Sequence, residues 1–262
     1  VKSVDLNCDL GESFGSFVVG QDELVLAQIT SANIACGYHA GDHNVMAKTV
    51  KMAKEKGVSI GAHPGFPDLI GFGRRVIQTE PSDIYHFVIY QIGALQGFCK
   101  VNDVEIRHVK PHGALYNMAA KDPKVAEAIA QAVYEIDPSL VLFGLSGSEL
   151  IKAGLSVGLT VANEVFADRT YQSDGTLTPR THQNALIHET DTAIQQVLMM
   201  VKEGKVKTVD GSYAPIQADT ICIHGDGPSA LDFARSLRET LVAEGVNIRP
   251  AKGEVAHYHK GE

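Results

Sequence analysis

Val4-Asp5-Leu6-Asn7-Cys8-Asp9-Leu10-Gly11-Glu12 is the stretch on which the fold turns. Its first five residues read as a β-strand, and period-two alternation puts Asn7 and Asp9 on one side of it. The turn that follows is acidic. A dinucleotide-binding turn at this place needs glycines that let backbone N–H groups approach a pyrophosphate, and Asp9-Leu10-Gly11-Glu12 offers carboxylates instead. A first strand that ends in acids points toward a barrel, where polar residues gather at the carboxyl ends of the strands.

Further along, apolar and β-branched runs recur at 32–36, 58–62, 104–109, 140–144, 160–165 and 220–224, which with 4–8 makes seven expected strands. Segments 43–56, 81–101, 123–136, 147–157, 191–203 and 229–244 carry helical periodicity. Asp42 caps one helix, Pro81 opens the next with Ser82 in its first turn, and Gly57 after Lys56 is a stop. Strand-then-helix repetition makes each helix the crossover to a parallel neighbour. The expected architecture is α/β: a single seven-stranded (β/α) barrel domain over 1–251, with 252–262 as a flexible C-terminal tail. The aperiodic segment 166–190, with Arg169, Tyr171, Asp174 and Arg180, is either a lid or substrate clamp or a structural Ω-loop.

The 262 residues are 44% hydrophobic and 21% charged, which supplies a substantial core. A formal net charge of -8, without a Lys/Arg cluster, argues against a nucleic-acid partner. No run is long and apolar enough to span a membrane, and no basic-then-apolar leader opens the sequence, so the cytoplasm is the expected compartment. Cys8, Cys36, Cys99 and Cys222 form no CxxC pair and read as packed thiols, with Cys8 as a nucleophile the lesser alternative.

The residues with chemical reach share a topological position. Asn7, Asp9 and Glu12 end the first strand, as turn stabilisers or as site acids. After the second come His39, Asp42 and His43; the histidines are four apart, a spacing that converges on a metal if they share a helical face, but Asp42 is the better cap and His39 precedes the helix. His63 ends the third strand, and Arg74 and Arg75 downstream suit a carboxylate or phosphate. His108-Val109-Lys110-Pro111-His112-Gly113 ends the fourth. Its Lys110 reads as an acid of lowered pKa, as a charged oxyanion partner, or as a rim lysine reaching solvent. Glu164, Asp168 and Arg169 follow the sixth strand, and His224 and Asp226 the seventh, where no P-loop ending is present. Six of the seven strands thus end in acids, imidazoles or cations. That shared position is a stronger signal than any one motif.

Residues 4–12, Ser31-Ala32-Asn33-Ile34-Ala35-Cys36-Gly37-Tyr38-His39-Ala40-Gly41-Asp42, Gly61-Ala62-His63-Pro64, Lys110-Pro111-His112-Gly113-Ala114-Leu115-Tyr116, Glu164-Val165-Phe166-Ala167-Asp168-Arg169 and His224-Gly225-Asp226 together resemble the LamB/YcsF family over nearly the whole chain. The resemblance implies a barrel like that of glycoside hydrolases and polysaccharide deacetylases. It implies a hydrolase that opens the lactam of 5-oxoproline to L-glutamate with ATP, acting with 5-oxoprolinase subunits B and C. ATP would be bound by this chain or by a partner subunit. Carried over by motif, Asp9, His63, Lys110, His112 and His224 are the expected catalytic residues, and Asn7, Glu12, His39, Arg74, Glu164, Asp168 and Arg169 the expected substrate-binding ones. Assembly with copies of itself is compatible with the sequence.

Two other readings compete. One is a metal-dependent deacetylase in which Asp9 and two of His39, His43, His63 and His112 hold a divalent ion that activates water. The other is a non-catalytic subunit that binds 5-oxoproline or its phosphorylated intermediate while partners transfer the phosphoryl group.

Overall fold

The computed structural model describes residues 2–223 and 230–253. Its elements run β1 (Ser3–Leu10), α1 (Asp22–Val25), β2 (Ser31–Ala35), α2 (His43–Lys56), β3 (Ser59–His63), α3 (Pro81–Val101), β4 (Ile106–Val109), α4 (Gly113–Ala119), α5 (Pro123–Ile136), β5 (Val141–Leu145), α6 (Glu149–Val157), β6 (Thr160–Phe166), α7 (Thr190–Glu203), β7 (Lys205–Lys207), β8 (Tyr213–Pro215), β9 (Thr220–Cys222), α8 (Ala230–Ala243) and β10 (Asn247–Ile248). Strands β1 to β6 pair in order, all parallel, then β6 pairs with β9 and β9 returns to β1. The sheet closes into the expected seven-stranded barrel.

The six helices read from periodicity are all present, three of them at the expected bounds. Local chemistry explains the ends. The Asp42 carboxylate accepts from the N–H groups of Asn44 and Val45 at 2.8 and 2.9 Å, and Gly57 ends α2 at φ 66°, a left-handed conformation suited to glycine. Four small features were not expected: α1, α4, the antiparallel β7–β8 hairpin, and β10, which pairs with Ser3 and Val4 at the start of β1. Residues 254–262, most of the segment read as a tail, lie outside the described residues. Among the described residues no helix is long and apolar enough to cross a membrane.

Alternation sorts the strand residues. Cys8, Leu10, Ile34, Ile60, Ala62 and Val109 face the helices and form one apolar cluster with α2, α3, α5 and α6; Leu6, Val165 and Ile221 join a second with α7 and α8. The opposite faces fill the lumen, and they are polar: Asp5, Asn7, Asn33, His108, Glu164 and Thr220 are all buried. Barrel interiors are ordinarily packed with bulky aliphatic side chains. Here hydrogen bonds replace much of that packing. Gly61 on β3 makes room for them, because a Cβ there would lie 2.1 Å from His108 Nε2, which reaches Asn33 Oδ1 at 2.7 Å.

The long segment after β6 is held from within. Tyr171 is fully buried and its hydroxyl oxygen accepts from the Phe166 N–H at 2.8 Å, while Arg169 donates to the carbonyls of Thr178 and Ala185. Asp174 closes its own turn through Thr176. The segment is a braced loop, and Thr178 and Arg180 on it form part of a cavity wall.

Candidate active site

A cavity of about 1,040 Å³ opens at the carboxyl ends of the barrel strands. Asp9, Glu12, His63, Lys110 and His112 line it, together with the cations Arg74, Lys121, Arg169 and Arg180. Anionic and imidazole groups come from strand ends and cations mainly from the surrounding loops, a polarity that suits an anionic ligand over a reactive floor.

Lys110, just past β4, is buried, and its Nζ lies 2.8 Å from Glu164 Oε1, 3.0 Å from Asp9 Oδ1, 3.2 Å from Asn7 Oδ1 and 3.2 Å from Cys222 Sγ. It also sits 5.5 Å from the centre of the Phe166 ring. Desolvation opposes its charge, but the neighbouring anionic groups, Asp9 first, outweigh it and hold the ammonium well above the usual lysine range. Of the roles open to this lysine, the charged partner is the one the geometry supports; it does not reach to solvent as a rim residue.

Asp9 is the hinge between Lys110 and the imidazoles. Its Oδ2 lies 3.3 Å from His63 Nε2. Burial would raise its pKa, yet His63 and then Lys110 reverse that and keep the carboxyl well below its ordinary value. His63 Nδ1 donates to the Lys110 carbonyl at 2.7 Å, His63 Nε2 meets His112 Nδ1 at 2.9 Å, and His112 Nε2 donates to the Phe72 carbonyl at 2.8 Å. His39 stacks on His112 with ring centroids 3.6 Å apart and planes within 3°, and its Nε2 lies 3.1 Å from Glu12 Oε1. Desolvation, then the neighbouring imidazoles, lower the pKa of both His39 and His112 well below the usual value, so these rings are neutral.

The site residues read from the sequence divide into three groups. Asp9, Glu12, His63, Arg74, Lys110, His112 and Arg169 line the cavity. Asn7, Glu164 and His39 are fully buried behind it: Asn7 donates to Glu164 Oε1 and Thr220 Oγ1, and Glu164 braces Lys110. Asp168 is not among the lining residues; its carbonyl accepts from the Ile187 N–H in the braced loop. His224 and Asp226 lie outside the described residues. Two lesser readings are overturned. His43 is exposed in the first turn of α2, away from the other histidines, and Cys8 is buried with its thiol pushed well above the usual range by desolvation. All four cysteines are free and buried, as packed thiols should be.

Three groups near the lysine escaped sequence reasoning as site members. Cys222 touches Nζ, Asn33 donates to Asp9 Oδ1 at 2.8 Å, and the buried Tyr116 phenol faces Glu164. Neither the Tyr116 hydroxyl nor Glu164 Oε2 has a partner within hydrogen-bonding limits among the described residues. Inward parity on their strands marks Asn33 and Cys222 in retrospect. A second cavity, of about 1,030 Å³, opens among Lys100, Asp103, Glu105, Arg107 and the strand starts at Ser31 and Ser59. His108 lines it as well, and Arg107 there pairs with Glu105 at 3.0 Å.

Comparison with known proteins agrees with the geometry. The family model described as LamB/YcsF family matches residues 4–256. The chain is 68% identical to the A component of 5-oxoprolinase from Halalkalibacterium halodurans over 95% of this chain and 96% of that one, and 60% identical to the Bacillus subtilis protein of the same name over 94% and 95%. Among solved structures, the lactam utilization protein from Thermus thermophilus superposes with a TM-score of 0.89 at 45% identity, covering 94% of this chain and 99% of that one. A match that runs from the first strand past the last, with a superposable barrel, makes this chain a member of the LamB/YcsF family.

Proposed function

We propose that this chain is one subunit of an ATP-dependent 5-oxoprolinase, carrying the hydrolytic centre that opens the lactam of 5-oxo-L-proline to L-glutamate. Relatives at 60–68% identity bear the name of the A component of 5-oxoprolinase, and such a name belongs to one part of a larger enzyme. The observation that carries the reading is the meeting of Lys110 Nζ, the Asp9 carboxylate and the His63–His112 pair at the base of one cavity.

A lactam carbonyl is resonance-stabilised and a poor electrophile. Phosphorylation of its oxygen by ATP gives an activated imidate phosphate; water adds at that carbon, the ring C–N bond breaks as the nitrogen takes a proton, and a second water hydrolyses the resulting acyl phosphate to L-glutamate and phosphate. In that scheme Asp9, a carboxylate at all ordinary pH, orients His63. The His63–His112 pair activates the water, and a proton reaches the ring nitrogen as it leaves. Lys110 stays cationic and faces the oxygen that gains negative charge. Arg74, Lys121, Arg169 and Arg180 suit the substrate carboxylate and the phosphoryl group. His224, which lies outside the described residues, is kept in the catalytic set on the strength of its motif. No Gly-Lys-Ser/Thr phosphate loop occurs in the sequence, which favours phosphoryl transfer on subunits B and C and hydrolysis here.

The test is reconstitution with those subunits, following 5-oxoproline loss and ATP consumption together. Lys110→Met should lower kcat by about 10²–10³-fold while ATP binding by the partners persists. Wild-type turnover in a folded Lys110→Met complex would remove the lysine from the chemistry. Full turnover by the isolated chain would remove the need for partners.

A further inference from the structure

Lone pairs, counted atom by atom, converge at one point of the cavity without enough protons to satisfy them. The outer nitrogens of two imidazoles are bound to backbone carbonyls, His63 Nδ1 to Lys110 O at 2.7 Å and His112 Nε2 to Phe72 O at 2.8 Å. A carbonyl only accepts, so each of these nitrogens carries its hydrogen. With one hydrogen on each ring placed there, the inner nitrogens, His63 Nε2 and His112 Nδ1, offer lone pairs, and they face each other at 2.9 Å. Glu12 Oε1 lies 3.6 Å from His112 Nδ1 and accepts from His39 Nε2 at 3.1 Å. Asp9 Oδ2 lies 3.3 Å from His63 Nε2. Two facing lone pairs with carboxylate oxygens beside them make a pocket whose donor atoms suit a cation.

The geometry points to a binding site for one divalent transition-metal ion, held by His63 Nε2, His112 Nδ1 and the Glu12 carboxylate. Ligand atoms of Glu12, His39, His63 and His112 all lie within 4.8 Å of one another, and two imidazoles with one carboxylate are the donor set that zinc-class ions take when a fourth position is left for a substrate or water. Each ligand has the outer support such sites require: a backbone carbonyl behind each histidine and the His39 N–H behind Glu12. His39 is therefore a bracing residue that stacks on a ligand. Its ring is wedged in place by backbone, since a Cβ at Gly65 would lie 2.8 Å from His39 Nδ1 and one at Gly73 would lie 2.7 Å from His39 Cβ and 2.8 Å from His112 Cδ2. A shared proton is the rival occupant, but it can join only the two nitrogens. Such a proton would be held by Asp9 Oδ2 at 3.3 Å from His63 Nε2 and draws in nothing from Glu12, whereas an ion gathers Glu12, His63 and His112 at one point. Two ligands about 2.05 Å from a tetrahedral ion stand roughly 3.3 Å apart, so occupancy would spread the imidazole pair by about 0.4 Å. Glu12, His63 and His112 all line the cavity, so the open position faces the space where substrate enters.

The experiment is metal uptake by the full chain without substrate or partners, so its result is independent of the lactam reading. Chelator-stripped protein is titrated with Zn²⁺ by calorimetry and with Co²⁺ by visible absorption. One equivalent of either metal, with cobalt bands of tetrahedral intensity, is the expected result. His112→Ala and Glu12→Gln should each weaken Zn²⁺ binding by at least about 100-fold and His39→Ala by about 10–100-fold, with circular dichroism reporting the fold. Exposed His43→Ala should leave affinity unchanged and so excludes stray surface binding. No stoichiometric uptake by wild type, or uptake that survives both His112→Ala and Glu12→Gln, overturns the site.

Discussion

At the amino end of the lumen Asp5 accepts hydrogen bonds from three hydroxyls, those of Thr30, Ser31 and Thr220, at 2.5–2.7 Å. Near the carboxyl end Asp9 is set against an ammonium and an imidazole, close to buried atoms that have no partner among the described residues: His39 Nδ1, Tyr116 Oη and Glu164 Oε2. The same residue type, two turns of the pleat apart on one strand, is driven in opposite directions. Desolvation raises Asp5 to about 6, whereas His63 and Lys110 overcome desolvation and lower Asp9. Neutral donors make a polar layer that closes on itself; charged partners with spare hydrogen-bonding capacity make a place where a ligand completes the network. The two layers are physically joined, since Asn7 links Thr220 to Glu164 and Asn33 links His108 to Asp9.

That contrast can be broken in three ways. The largest effect concerns pH. Folded Asp5 keeps a proton that the unfolded chain releases near 3.8, so its contribution to stability falls as pH rises from about 4 to 6. His108 runs the other way: desolvation, then Lys110, lower it from 6.5 to about 3, so its contribution falls as pH drops from about 6.5 to 3. Between about pH 4 and 6 the two slopes cancel. Asp5→Asn removes one, and relative to wild type it should lose about 1.4 kcal/mol per pH unit on acidification through that window, about 3 kcal/mol in all, in urea unfolding at stepped pH. Parallel curves would mean that the amino-end layer is not a neutral cage.

Next in size, Glu164→Gln keeps the shape of the carboxyl-end layer but removes one anionic partner of Lys110. In the reconstituted lactam assay kcat should fall about 10²-fold, about 2.7 kcal/mol, with a smaller change in unfolding free energy. A variant that loses stability but not turnover would transfer Glu164 to the structural layer. The smallest effect is at Thr220→Val, which strips one donor from Asp5 and one acceptor from Asn7. It should cost about 1–2 kcal/mol of stability and leave kcat unchanged.

These two layers were unequally legible in the sequence. Asp9, His63, Lys110 and His112 announced themselves because each lies at or just past the end of a strand, and the closed topology gathers those ends into one mouth. Asp5, Ser31, Thr220 and His108 did not, because short polar residues inside strands acquire meaning only through interstrand register, such as Asp5 opposite Thr220. The long helices were readable from their period, and the Asp42 cap correctly outweighed the His39–His43 spacing as a helical metal pair. The seven residues of α4 are too few for a period and follow directly on the Lys-Pro-His-Gly turn, while β7, β8 and β10 have three, three and two residues. Tyr171 and Arg169 were noticed, but whether they clamp a ligand or a loop depends on which carbonyls they meet, and a sequence does not carry that.

The way β1 is shared among its neighbours bears on how the molecule is born. Its first residues pair with β10 and its middle with β9, and the Thr220–Asp5 hydrogen bond spans 215 residues of chain. A ribosome delivers these partners after β1 to β6. Until then the nascent sheet is open along one side and Lys110, Asp9 and Glu164 stay hydrated, so their burial is deferred to a single late closure of high contact order. Translation that stalls before residue 220 leaves six of the seven barrel strands as an open sheet with unpaired edges, the kind of species that chaperones hold.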